Sequence, residues 1–112
     1  MRYVRLYTDI LTHEKQLATS DRAWRALTLA LAYAGKNETD GHVPDHARGI
    51  VRFTPGVTRE LEGLGWMSRN GSGWVINGWA DHQETTESLS DARGKTAARV
   101  RRHRAAKRGT DA

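Results

Sequence analysis

Cysteine is missing from all 112 residues, which excludes disulfide staples, thiolate zinc sites and cysteine nucleophiles, and permits a reducing compartment. No apolar run approaches the roughly 18 residues needed to span a bilayer, and the N-terminal stretch from Met1 to Asp9 lacks a signal-peptide core, so neither membrane insertion nor export is expected. Large apolar residues nearly vanish after Glu84, where only Leu89 and Val100 remain. Such a segment cannot bury enough surface to fold unaided. One domain over residues 1–83 and a tail over residues 84–112 is the organisation these absences imply.

Acidic residues are also missing from one place that matters. Residues 1–83 carry ten Lys/Arg against nine Asp/Glu and are nearly neutral, whereas residues 84–112 carry eight Lys/Arg against four Asp/Glu. All eight tail cations, Arg93, Lys95, Arg99, Arg101, Arg102, Arg104, Lys107 and Arg108, fall within sixteen residues that contain no acid. Of the formal charge of +5, the tail therefore carries +4.

What remains is patterned. Tyr3 to Tyr7 is aromatic and β-branched enough for a short strand, and Asp9 to Leu17 reads as a loop with a short helix. Ser20 or Asp21 can cap a helix running to Ala34, with Trp24, Leu27, Leu31 and Ala34 forming its apolar stripe and Gly35 stopping it. Pro44 follows an extended Val43, and a second short helix is expected over Asp45 to Val51. Thr54 is placed as N-cap of a third helix with Pro55 at its first position, Val57, Leu61 and Leu64 on one face, and Gly65 after it. Apolar runs at residues 66–68 and 74–76 flank an Asn70-Gly71 turn, a strong hairpin signal. Helix, short helix, helix, hairpin is the order of a winged helix-turn-helix domain. The fold class expected is mainly α with a small β-hairpin, followed by a basic tail that is helix-prone, disordered or helical on binding.

The run of residues 30–33, Thr39-Asp40-Gly41-His42-Val43-Pro44, Leu64-Gly65-Trp66, Gly73 to Trp79 and Asp81-His82-Gln83 resembles small winged-helix proteins of phages and prophages, of the replication-initiation or replisome-organiser-like type. The resemblance covers about residues 2–83. It implies a DNA binder from a phage replication module, with Arg99 to Arg104 matching the Arg-rich tail such proteins commonly carry. Longer initiators of this kind have a further domain for helicase loading or self-assembly, for which 112 residues leave no room.

Candidate contacts are set by the pattern. With Val57, Leu61 and Leu64 inward, Thr58, Arg59 and Glu62 face outward, and Thr54 lies at the end of the helix where base contacts are usual. Arg59 is the candidate for reading guanine, although Glu60 and Glu62 could pair with it or repel phosphate. Arg69 and Asn70 are placed on the wing loop. The eight tail cations supply phosphate contacts without sequence information, or meet an acidic host protein instead. Trp24, Trp66, Trp74 and Trp79 are assigned to core packing rather than to base stacking.

His42, Asp45 and His46 lack a further ligand, so no metal is expected, and no cofactor. Asp9, His13 and Ser20 come with no nucleophile elbow or phosphate loop, so no enzyme is expected. The function expected is double-stranded DNA binding in phage replication initiation or its control, in the cytoplasm and nucleoid of a bacterial host. Three alternatives stay open: a transcriptional regulator, an excisionase-like architectural factor, and a phage protein that modulates a host replication or transcription protein. A homodimer reading paired half-sites is equally open.

Overall fold

The computed structural model describes residues 3–83 and 85–87. Among them four α-helices and a three-stranded antiparallel sheet form a small α/β domain. A 3-10 turn at Thr8–Thr12 leads into α1 (Glu14–Ala18) and α2 (Asp21–Asn37), then β1 (His42–Pro44) and a second 3-10 turn at Asp45–Ala47. Helix α3 (Pro55–Gly63), strands β2 (Met67–Asn70) and β3 (Gly73–Ile76) and the short α4 (Trp79–His82) complete it. No helix among the described residues is long and apolar enough to cross a membrane.

Helix α2 is the spine. Ser20 caps it, its Oγ accepting from the Ala23 N–H at 3.2 Å. Its most buried positions are Ala23, Ala26, Leu27, Ala30 and Ala34, while Trp24 and Leu31 are only half-buried. The centre of the apolar stripe thus falls on alanines, which let neighbouring elements come close, and the large residues border it. The helix does not stop at Gly35 as its sequence predicts. It runs to Asn37 and ends on Glu38 in the left-handed region at φ 52°. Gly35 serves packing instead, since a Cβ there would collide with Val4 Cγ1.

Three further expectations are corrected. Tyr3 to Tyr7 forms no strand, because the partner of its backbone is a side chain: Arg5 N–H donates to Gln83 Oε1 and Gln83 Nε2 donates to the Arg5 carbonyl, both at 2.8 Å. The second helix is one 3-10 turn, after which the chain passes through turns to Arg52 at φ 61°. Ala47, Val51 and Phe53 are still delivered to the core. The β component is larger than a hairpin, because His42–Pro44 pairs antiparallel with β3 and makes β3 the central strand.

The hairpin register fixes where the wing arginine stands. Asn70 lies opposite Gly73 and Arg69 opposite Trp74, so the turn is Gly71-Ser72 rather than Asn70-Gly71. Arg69 and Asn70 are strand residues, not loop residues. Gly73 is required by its neighbour: a Cβ would meet the Val43 carbonyl and stand 2.8 Å from Pro44 Cα. Leu27, Val43, Val51, Leu61 and Met67 are fully buried where α2, α3 and the sheet meet. Each such apolar side chain contributes on the order of 1.5–3 kcal/mol relative to exposure.

A cleft of about 430 Å³ lies under the N-terminal segment, lined by Tyr7, Ile10, Trp24, Leu31, Trp66 and Trp79 among others. At the other end of the described chain, Thr86 donates through its N–H and hydroxyl to the Asp40 carboxylate at 2.8 and 2.9 Å. Thr86 is therefore clasped to the domain just past the end of α2.

Candidate functional site

Helix α3 is built as its sequence dictates. Thr54 caps it, accepting from the Val57 N–H at 3.3 Å, and Pro55 occupies its first turn. Val57 and Leu61 are buried, and Leu64 is half-buried beside them. The outer face presents Pro55, Gly56, Arg59, Glu62 and Gly63. Thr58 is half-buried and its hydroxyl donates to the Pro55 carbonyl at 3.1 Å.

The two acids that threatened this face are committed elsewhere. Glu60 accepts from the Ser20 N–H at 2.7 Å and from the Ser20 hydroxyl at 2.8 Å. In a capping box the third helical residue would supply this carboxylate, but in α2 that residue is Ala23, so the acid comes from α3. Its negative charge also suits the positive end of the α2 dipole. Glu62 accepts from Trp74 Nε1 at 3.1 Å, tying α3 to β3. Arg59 consequently has no hydrogen-bond or ion-pair partner among the described residues.

Two glycines flank it, at 56 and 63. Neither has a positive φ, and open space lies where a Cβ would stand. Packing does not demand them, and they stand in the first and last turns of α3, where glycine costs a helix less than in its interior. The result is a helix surface low in side-chain bulk at positions 56 and 63, with Arg59 its one cation and Glu62 its one exposed acid.

The hairpin differs. Arg69 projects from β2 onto the ring of its cross-strand partner Trp74, with its guanidinium carbon 4.5 Å from the ring centroid. Its Nη1 and Nη2 donate to Asp45 Oδ1 and Oδ2 at 2.6 and 3.0 Å, a bidentate pair. Arg48 Nη2 donates to the same Asp45 Oδ1 at 3.4 Å, and its guanidinium also lies over Trp74, at 5.3 Å. The Arg69 bond foremost, with Arg48 adding to it, holds the Asp45 carboxyl below its ordinary pKa. Phe53 completes the surroundings of Trp74 edge-on at 5.2 Å. Asn70 is exposed beside the turn.

Of the other tryptophans, Trp79 is buried, and Trp24 and Trp66 meet edge-to-face at 5.9 Å, half-buried. All four pack within the domain, as the sequence predicts. The tail cations Arg93, Lys95, Arg99, Arg101, Arg102, Arg104, Lys107 and Arg108 lie outside the described residues, as does the expected order or disorder of that segment.

Sequence reasoning brought Thr54, Thr58 and Arg59 onto one helix and Arg69 and Asn70 onto one hairpin. It missed Arg48, Asp45 and Trp74 as a unit with Arg69, and Arg52, exposed two residues before Thr54. A correctly placed Gly71-Ser72 turn would have revealed the Arg69–Trp74 pair, because hairpin register is dictated by the turn. No family model, curated protein or solved structure matches the chain.

Proposed function

We propose that this chain is a DNA-binding protein of the winged-helix type. In this reading α3 enters the major groove, the β2–β3 hairpin is the wing, and the tail cations between Arg93 and Arg108 grip flanking phosphates. The observation that carries it is the state of Arg59. It stands exposed and unpaired among the described residues, on a face where Gly56 and Gly63 leave open space, with the Glu60 and Glu62 carboxylates hydrogen-bonded to Ser20 and Trp74. A free guanidinium on such a helix is suited to the O6 and N7 acceptors of guanine. Thr54 and Thr58 border it and supply backbone-positioning contacts. The role we attach, replication initiation or its control in a phage or prophage, is supported by the sequence resemblance.

Binding of the full-length protein to a phage origin fragment and to random duplex of equal length, over about 50 to 200 mM salt, tests this reading. Arg59→Ala is expected to weaken the origin complex about 5- to 100-fold while barely changing random-duplex binding. Reversing Arg101, Arg102 and Arg104 to Glu is expected to weaken both complexes alike and flatten the salt slope by about 0.9 for each phosphate no longer neutralised. Absence of any duplex binding at about 50 mM salt, where phosphate contacts are strongest, would refute it.

A further inference from the structure

Two guanidiniums converge on one carboxylate at the side of the hairpin. Arg69 grips both Asp45 oxygens and Arg48 reaches one of them. Both guanidiniums lie over Trp74, which limits their freedom before any ligand arrives. The Asp45 N–H donates to the Ser72 carbonyl at 2.8 Å, fixing the carboxylate beside the turn. The three charged side chains remain open to solvent, Asp45 at 41%, Arg69 at 45% and Arg48 at 53% exposure. Exposed ion pairs add little stability, so the fold loses little if this one opens.

We propose that Arg48 and Arg69 form a phosphodiester-binding site, and that the Asp45 carboxylate occupies it in the free protein as an internal stand-in for phosphate. The proposal rests on the DNA-binding reading above and names one contact of that surface. A phosphodiester offers two non-bridging oxygens to the guanidinium fork much as a carboxylate does. The exchange is one anion for another: Asp45 rotates into solvent and the backbone phosphate takes over its hydrogen bonds. Trp74 holds the guanidiniums in place on both sides of the exchange, so little side-chain freedom is lost on binding. The contact carries no base information. It also accounts for Arg69, the arginine of the hairpin, being found paired: its partner keeps the site formed and masked.

The test is a cycle of full-length variants on random duplex. Asp45→Asn, or Asp45→Ser should the first fail to fold by circular dichroism, is expected to tighten binding about 3- to 10-fold and steepen the salt slope by about 0.9, equivalent to one more released counterion. In an Arg48→Ala, Arg69→Ala background the same change should bring no gain. A gain of equal size in that background would mean removal of a negative charge anywhere nearby suffices, and would overturn the proposal, as would no gain in the arginine-bearing protein. If the unaltered chain binds no duplex at all, the DNA-binding reading fails, and the phosphate site is judged alone with inorganic phosphate. The Trp74 indole N–H signal of the Asp45 variant should then shift on titration, and only when Arg48 and Arg69 are present; an unmoved signal overturns the site.

Discussion

The α3 face and the hairpin each present an arginine to solvent, and the fold treats the two in opposite ways. Around Arg59 the carboxylates are hydrogen-bonded elsewhere, Glu60 to the start of α2 and Glu62 to an indole, and two of the four neighbouring helix positions, 56 and 63, are glycines. Around Arg69 an acid is brought in, an aromatic ring lies underneath, and a second arginine joins. One cation is left open and the other is held in a defined geometry. Exposure alone therefore says little about what an arginine is available to do; the destination of the nearest carboxylates decides it.

The largest expected effect strikes the held side. Trp74→Ala removes the ring that supports both guanidiniums, orphans Glu62 and leaves a cavity against Phe53. A loss of about 3–5 kcal/mol of stability is expected in chemical denaturation. A loss below about 1 kcal/mol would show that the ring is no platform, and would erase the contrast between the two arginines. On the open side, Glu60→Ala deprives Ser20 of its carboxylate and is expected to cost about 1 kcal/mol. If the same variant altered the preference for one DNA sequence over another, Glu60 would be acting on Arg59 and the face would not be free of its acids.

The smallest change is the most discriminating. Gly56→Ala and Gly63→Ala fill open space on a helix and are expected to raise stability by about 0.4–1 kcal/mol each. Both should weaken duplex binding, since each adds a methyl where DNA would approach. Stabilisation with unchanged binding would separate the bare face from the interface.

The helices were largely legible in the sequence because their determinants are local. Ser20 and Thr54 cap α2 and α3 as their side chains allow, and Val57 and Leu61 fall inward at the spacing of a helix. Errors arose where a residue's task is set by something distant. Gly35 looks like a stop signal but is small because Val4 lies against it. Gln83 replaces a strand for Arg5 from the far end of the domain. Gly73 marks the approach of β1, which turned an expected hairpin into a three-stranded sheet. At the candidate site the positions of the arginines could be read, but their pairing could not. Arg69 and Asp45 are twenty-four residues apart, and nothing in the spacing joins them.

The clasp between Thr86 and Asp40 bears on how the two halves of the chain would share a length of DNA. Asp40 lies just past the last turn of α2, a helix of 17 residues and so about 25 Å long, whereas α3 meets α2 at its first turn through Ser20. The last described contact of the chain is thus at the far end of α2 from Ser20, and Arg93 comes seven residues after Thr86 in the sequence, about 25 Å of chain at full stretch. If both halves bind DNA as proposed, domain and tail would act as two modest ligands on a short leash. Once one were seated, the leash would keep the other at a high local concentration, and overall affinity would depend on where the mooring sits as well as on what each half touches.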